Sequence, residues 1–221
     1  MSDINYKFIL IGNSGVGKVS IFRKLTTGEF NEKNISTIGI EKKTLSLDLD
    51  VSNNEGQIIN KKFNISLFDT AGQEKFRAVT LNYYKGTDGV LLVYSRDIIT
   101  EKSSFDSCSL WIDSIRDSLG NTKDKKYAIV LIGNRLDLVE ENPDDRKVTE
   151  EEAKKMCEEY DMIWGGELNL KSISFEELNN LFKNYVREVY KRVGDKKECK
   201  QELKLKKIKK SKKKPFSCFR I

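Results

Sequence analysis

The sequence predicts an α/β fold: a doubly wound, mostly parallel sheet of six strands, with one antiparallel strand at its edge and helices on both faces. Three observations predict it. Short continuous apolar runs recur along the chain, the mark of strands covered on both faces. One segment alternates instead, as an edge strand with a wet face does. Between the strands, apolar residues recur at three- and four-residue spacing, which marks amphipathic helices.

The first run is Lys7–Ile11, followed by a glycine-rich segment and a helical stretch from Val19 to Leu25. Next comes the alternating segment, Leu45, Leu47, Leu49 and Val51 interleaved with Ser46, Asp48 and Asp50. The polar stretch Ser52 to Lys62, with Asn53, Asn54 and Gly56, reads as a hairpin turn into the next strand. That strand is Ile65–Phe68, and Val90–Tyr94, Ala128–Ile132 and Met162–Trp164 follow it. Phe105, Cys108, Ile112, Ile115 and Leu119 form one helical stripe, and Leu178, Leu181, Phe182, Tyr185, Val186 and Val189 a second. Cys108, Trp111 and Tyr185 read as core packing. In such a sheet, ligands sit beyond the carboxyl ends of the strands.

A length of 221 residues suits one domain with an extension rather than two domains. The four cysteines, Cys108, Cys157, Cys199 and Cys218, form no C-x-x-C pair, so neither a zinc site nor a disulfide framework is indicated. A reducing compartment fits best. Met1 to Tyr6 has no basic leader character, and Phe8 to Ile11 is too short to span a membrane. Any membrane attachment is therefore expected to be peripheral.

The net charge of +6 is uneven. Residues 195–221 carry 11 Lys and one Arg against three acids, about +9, which leaves about −3 elsewhere. A basic tail on an acidic body argues against a nucleic-acid-binding domain and for an appendage with its own partner, an anionic membrane or RNA. After Gly194 the periodicity stops, and Lys196 to Lys214 has too few apolar residues to fold alone. A domain over residues 1–193 and a polybasic tail over 194–221 are expected.

Chemistry concentrates at three strand ends. Gly12-Asn13-Ser14-Gly15-Val16-Gly17-Lys18 is the G-x-x-x-x-G-K of a phosphate-binding loop, standing between a strand and a helix. Its glycines let successive backbone N–H groups turn toward phosphate oxygens, the helix N-terminus adds positive potential, and Lys18 reaches the outer phosphates. Asp69-Thr70-Ala71-Gly72-Gln73-Glu74 places an acid where it can hold Mg²⁺ through water. There Gly72 can offer its N–H to the γ-phosphate and Gln73 can orient the attacking water. Asn134-Arg135-Leu136-Asp137 supplies a carboxylate that can accept from guanine N1–H and the 2-amino group together, a donor pair adenine lacks.

Together with Ser36-Thr37-Ile38-Gly39-Ile40 and Tyr83-Tyr84-Lys85-Gly86, these residues resemble the Rab family of small GTPases over about residues 5–193. The resemblance implies a P-loop GTPase fold, GTP/GDP as ligand with Mg²⁺, and hydrolysis of GTP to GDP and phosphate. It implies that Thr37 binds Mg²⁺ and the γ-phosphate in a first switch, and that Gly72 to Tyr84 form a second. Phe30 is similar to the aromatic residue that packs on the guanine, its other reading being a plain core residue. The implied partners are an exchange factor, a GTPase-activating protein, effectors of vesicle trafficking and a prenyl chaperone.

The sequence departs from that family at several positions. Val19 stands where Ser or Thr supplies a hydroxyl to Mg²⁺, and a valine cannot coordinate a hard cation. Two readings follow: a switch with slow hydrolysis, or a nucleotide-stabilised binding module that no longer cycles. Arg135 replaces the usual Lys, keeping charge and reach but changing the head group. Lys42 replaces an aromatic of the effector surface, and the hairpin at 52–62 is long for the family. The last guanine-binding segment is blurred: Glu167-Leu168-Asn169-Leu170-Lys171 fits either with Lys171 at the lysine position or with Leu170 there.

The chain ends Cys218-Phe219-Arg220-Ile221, a C-a-a-X prenylation box with a geranylgeranyl-type terminus and an unfavourable Arg220. One lipid binds membranes only marginally, and the run Lys204 to Lys214 supplies the second signal. The expected location is the cytoplasmic face of an intracellular membrane, with a cytosolic pool.

Overall fold

The computed structural model describes residues 3–31, 40–52, 56–70, 83–95, 103–120 and 127–195. Six strands form one sheet: β1 (Ile4–Ile11), β2 (Ile40–Ser52), β3 (Ile58–Thr70), β4 (Gly89–Ser95), β5 (Ala128–Asn134) and β6 (Ile163–Glu167), in the order β2-β3-β1-β4-β5-β6. Only β2 runs antiparallel to its neighbour. The expected six-stranded sheet with one antiparallel edge is therefore present.

The side-chain alternation of β1 shows why its run is continuously apolar. Ile4, Tyr6, Phe8 and Leu10 enter a core under α1 (Lys18–Thr27) and the C-terminal helix, while Ile9 and Ile11 enter a second core on the opposite face. Strands β4 and β5 are buried at every position. In the first core, Phe8 meets Phe182 edge-on at 5.6 Å, and Phe63 meets Tyr190 at 5.5 Å. Each such ring contributes about 1.5–3 kcal/mol through burial.

At the edge, Leu49 and Val51 are buried and Leu45 and Leu47 half-buried, with exposed residues between them, as the period of two predicts. The turn is shorter than expected. Ser52 already pairs with Ile58, and Asp50 with Asn60, so the connection is only residues 53–57. An edge ladder has a solvated face that tolerates Asn60 and Lys62, so polarity there reads wrongly as a turn.

The stripe ending at Leu119 is two helices, α2 (Ser103–Asp106) and α3 (Cys108–Leu119), separated at Ser107. Two further helices, α4 (Leu136–Glu141) and α5 (Glu150–Tyr160), escaped the periodicity. Only Val139 is buried in the first, and only Ala153 and Cys157 in the second, so neither shows a broad apolar stripe. The capping box of Thr149 with Glu152 starts α5, and that of Ser174 with Glu177 starts α6 (Phe175–Val193). Beyond α6, Tyr6 Oη donates to Gly194 O at 2.6 Å and Lys61 pairs with Asp195 at 3.6 Å. These contacts fix the end of the helix against the amino-terminal ends of the parallel strands. Among the described residues no helix is long and apolar enough to cross a membrane.

Candidate functional site

The chain leaves β1 through residues that only glycine can occupy. Gly12 has φ 137°, and a Cβ there would lie 2.1 Å from Val93 O. Gly17 has φ 94°, and its Cβ would lie 2.1 Å from Asn134 Nδ2. Between them Ser14 and Gly15 are exposed at the rim, while Val16 is buried and anchors the loop in the first core. The loop passes directly into α1, whose first turn holds no acidic residue, so the positive end of the helix is not cancelled.

Lys18 is only 5% exposed. Its ammonium donates to Gly12 O at 2.8 Å and Asn13 O at 2.7 Å, which folds the side chain back over its own loop. The cation is thereby held where an anion gripped by the loop would meet it. Val19, half-buried beside it, presents only methyl groups.

The last residue of β5 and the one after it hold the other side of the loop. Asn134 Nδ2 donates to Val16 O at 2.8 Å, and Arg135 Nη2 donates to Gly15 O at 2.9 Å. Arginine thus makes a direct contact to the loop from the lysine position of the family pattern. Asn134 Oδ1 is buried, and among the described residues no group hydrogen-bonds to it. Arg135 itself takes a left-handed conformation, φ 62°, which turns the chain into α4 and points Asp137 back across the sheet end.

Asp137 pairs with Lys171, whose ammonium lies 3.2 Å from Asp137 Oδ2. Of the two registers open for residues 167–171, the geometry puts Lys171, not Leu170, beside the carboxylate. Leu170 is instead buried in the first core. The turn is held by Asn169, whose Oδ1 accepts from the backbone N–H groups of Lys171 at 3.0 Å and Ser172 at 3.1 Å. The backbone ties it to the preceding segment, since Leu168 N donates to Gly133 O and Leu136 N to Leu168 O.

Lys24 joins the two halves. Its ammonium donates to Leu170 O at 2.6 Å and lies over the Phe30 ring at 5.5 Å, and burial lowers its pKa. Phe30 is half-buried against the first core at that edge, so its core reading and its base-packing reading describe one place. Asp69 is fully buried at the end of β3, level with Leu10 of β1. Lys42, which replaces an aromatic, stands over the Phe68 ring at 5.5 Å. Thr37, Gly72, Gln73 and Cys218 lie outside the described residues.

Sequence reasoning missed two contributors. Trp111, read as core, is buried and also donates its indole N–H to Asn13 Oδ1 at 2.9 Å. Lys24 is not singled out by the sequence, although its ammonium reaches the turn after β6. No local signal marks either, because their partners lie 98 and 146 residues away.

Comparison with known proteins gives a consistent picture. Residues 7–202 match the Ras family. The chain is 34% identical over 193 residues to the GTP-binding protein ypt3 of Schizosaccharomyces pombe, covering 87% of this chain and 79% of that protein. It is 34% identical over 194 residues to the Ras-related protein Rab11A of Lotus japonicus, covering 88% and 76%. Against the Ras-related protein RGP1 of Oryza sativa subsp. japonica the identity is 36% over 194 residues, with the same coverage.

Proposed function

Since the chain belongs to the Ras family, in its Rab branch, we propose that it is a guanine-nucleotide switch. In this reading it binds GTP and GDP, hydrolyses GTP slowly, and recruits effectors to a membrane in vesicle trafficking. One observation carries the reading: Asn134, Arg135 and Lys171 converge on the phosphate loop and Asp137 from two separate strand ends. A loop that bound any triphosphate would not need the second half.

Each residue of this chain has a task. The amides of residues 13–18 and the start of α1 receive phosphate oxygens, and Lys18 neutralises the outer ones. Asp137 accepts from the guanine edge, Lys171 and Arg135 lie along the base, and Leu170 supplies backbone to it. Asn134 holds the phosphate loop at Val16 O. Phe30 covers the base from the α1 side. Gln73 orients the attacking water, and Thr37 and Gly72 release their switches when the γ-phosphate leaves.

Mg²⁺ would supply neutralisation of the phosphate charge, and the residues fit it only in part. Asp69 is a suitable buried carboxylate, but Val19 offers no oxygen. That mismatch favours a second reading, a binding module that holds nucleotide without cycling. The body over residues 1–193 carries the switch, and the tail over 194–221 anchors it through Cys218 and its lysines to the cytoplasmic face of a membrane. Exchange factor, GTPase-activating protein, effectors and prenyl chaperone are the partners this reading requires.

Single-turnover hydrolysis of GTP across a magnesium titration, in the wild type and Val19→Ser, tests the reading. A measurable wild-type rate that rises with magnesium, and rises further in the serine variant, supports the slow switch. Nucleotide binding with no hydrolysis at any magnesium concentration would overturn it in favour of the module.

A further inference from the structure

The carboxamide of Asn13 is gripped at both ends, by a residue of α3 and by the residue that precedes that helix. Trp111 donates its indole N–H to Asn13 Oδ1 at 2.9 Å, and Asn13 Nδ2 donates to Ser107 Oγ at 3.1 Å. Ser107 sits at the break between α2 and α3, and its carbonyl accepts the backbone N–H of Trp111 at 3.1 Å, so the two contacts form one unit. The main chain of Asn13 does something else. Its carbonyl is one of the two that hold the Lys18 ammonium.

The grip is part of a closed circuit. Ser104 Oγ accepts from Ser95 N and donates to Ser95 O, both at 3.1 Å, which ties α2 to the end of β4. Ser95 lies opposite Asn134 in the β4–β5 register, and Asn134 returns to the loop at Val16. The phosphate loop is thus held on one side by α3 and on the other by the end of β5. Packing alone does not require an indole at position 111. A phenylalanine would fill much of the same apolar space but could not donate to Asn13.

We infer that Trp111 is a positioning residue for nucleotide binding: through Asn13 it fixes the carbonyl that aims the Lys18 ammonium. The inference rests on the nucleotide-switch reading above. Its physical basis is preorganisation. A lysine already held by Gly12 and Asn13 loses little freedom when phosphate arrives, whereas a loop free to turn its Asn13 carbonyl away must first be ordered.

The test is a double-mutant cycle on nucleotide release. Wild type, Trp111→Phe, Asn13→Ala and the double variant are loaded with a fluorescent GDP analogue. Its fluorophore is excited directly, and release into excess GTP is followed at fixed magnesium. A neutral hydrogen bond is worth about 1 kcal/mol, which is about fivefold in rate at about 1.4 kcal/mol per tenfold. Trp111→Phe should therefore release about fivefold faster, and Asn13→Ala about 25-fold faster, having lost both contacts. The double variant should be no faster than Asn13→Ala, because Trp111 acts only through that side chain.

Two effects that multiply in the double variant would mean independent packing and would overturn the inference. So would release from Trp111→Phe at the wild-type rate. Should Trp111→Phe fail to fold, Ser107→Ala serves in its place: it should speed release in the wild type and leave Asn13→Ala unchanged, and any further gain in that background would overturn the grip. A wild type that takes up no guanine nucleotide would overturn the switch reading itself. A wild type that binds but is indifferent to all three changes would overturn this inference alone.

Discussion

Replacing Gly17 by alanine attacks the seam between the two halves of the site. The residue sits at φ 94°, where an L side chain is strained by about 1–2 kcal/mol. The new Cβ would also fall 2.1 Å from Asn134 Nδ2, far inside contact distance. The amide must then swing away from Val16 O, its acceptor at 2.8 Å, which forfeits about 1 kcal/mol of hydrogen bond. Leaving those buried groups unsatisfied costs about 1–3 kcal/mol in addition. The total, about 3–6 kcal/mol, should lower the melting temperature by about 10–20 °C in a domain of this size. Gly56→Ala is the control, since its φ of 79° carries similar strain but its Cβ would meet nothing within 4 Å. That variant should lose only about 3–6 °C. Thermal unfolding of both, with GDP affinity measured alongside, separates strain from collision. Equal losses in the two variants would refute the argument that Gly17 is reserved for the approach of Asn134.

Two further outcomes follow from the proposed site and tail. Asp137→Asn removes a carboxylate that accepts from two donors on the guanine edge, so GTP affinity should fall about 100-fold, at about 1.4 kcal/mol per tenfold, while xanthine nucleotide gains; competition binding with the two nucleotides checks it, and unchanged GTP affinity would remove Asp137 from the base site. Cys218→Ser leaves the tail with charge alone, so fractionation should find the protein in the cytosol; a variant that remained on membranes would show that something other than a lipid holds it.

What the sequence made legible follows from the range of the forces involved. The glycines of the phosphate loop, the acid at the end of β3 and the tetrapeptide that begins at the last residue of β5 announce themselves because each is a local pattern at a strand end. The edge strand announces itself through its period of two. Helices α4 and α5 do not, because one and two buried residues leave no stripe to read. The register at Lys171 is also hidden in the sequence, since the contact that distinguishes it, to Asp137, spans 34 residues and depends on where β6 ends. Trp111 was legible as buried but not as a donor, for its acceptor is fixed only when α3 packs beside the end of β1.

The geometry also separates what Val19 can disturb from what it cannot. Lys18 is held by Gly12 and Asn13, and the loop behind it by Asn134, Arg135 and Trp111, all through contacts in which position 19 takes no part. The base half, Asp137 with Lys171, lies further away still and is organised by Asn169 and Lys24. Loss of the hydroxyl therefore leaves the machinery for recognising a guanine nucleotide intact. In the proposed reading the loss bears on the part of the site that faces the outer phosphates and their metal. In both proposed readings the effect of Val19 would fall on the cycling of the nucleotide and not on its recognition.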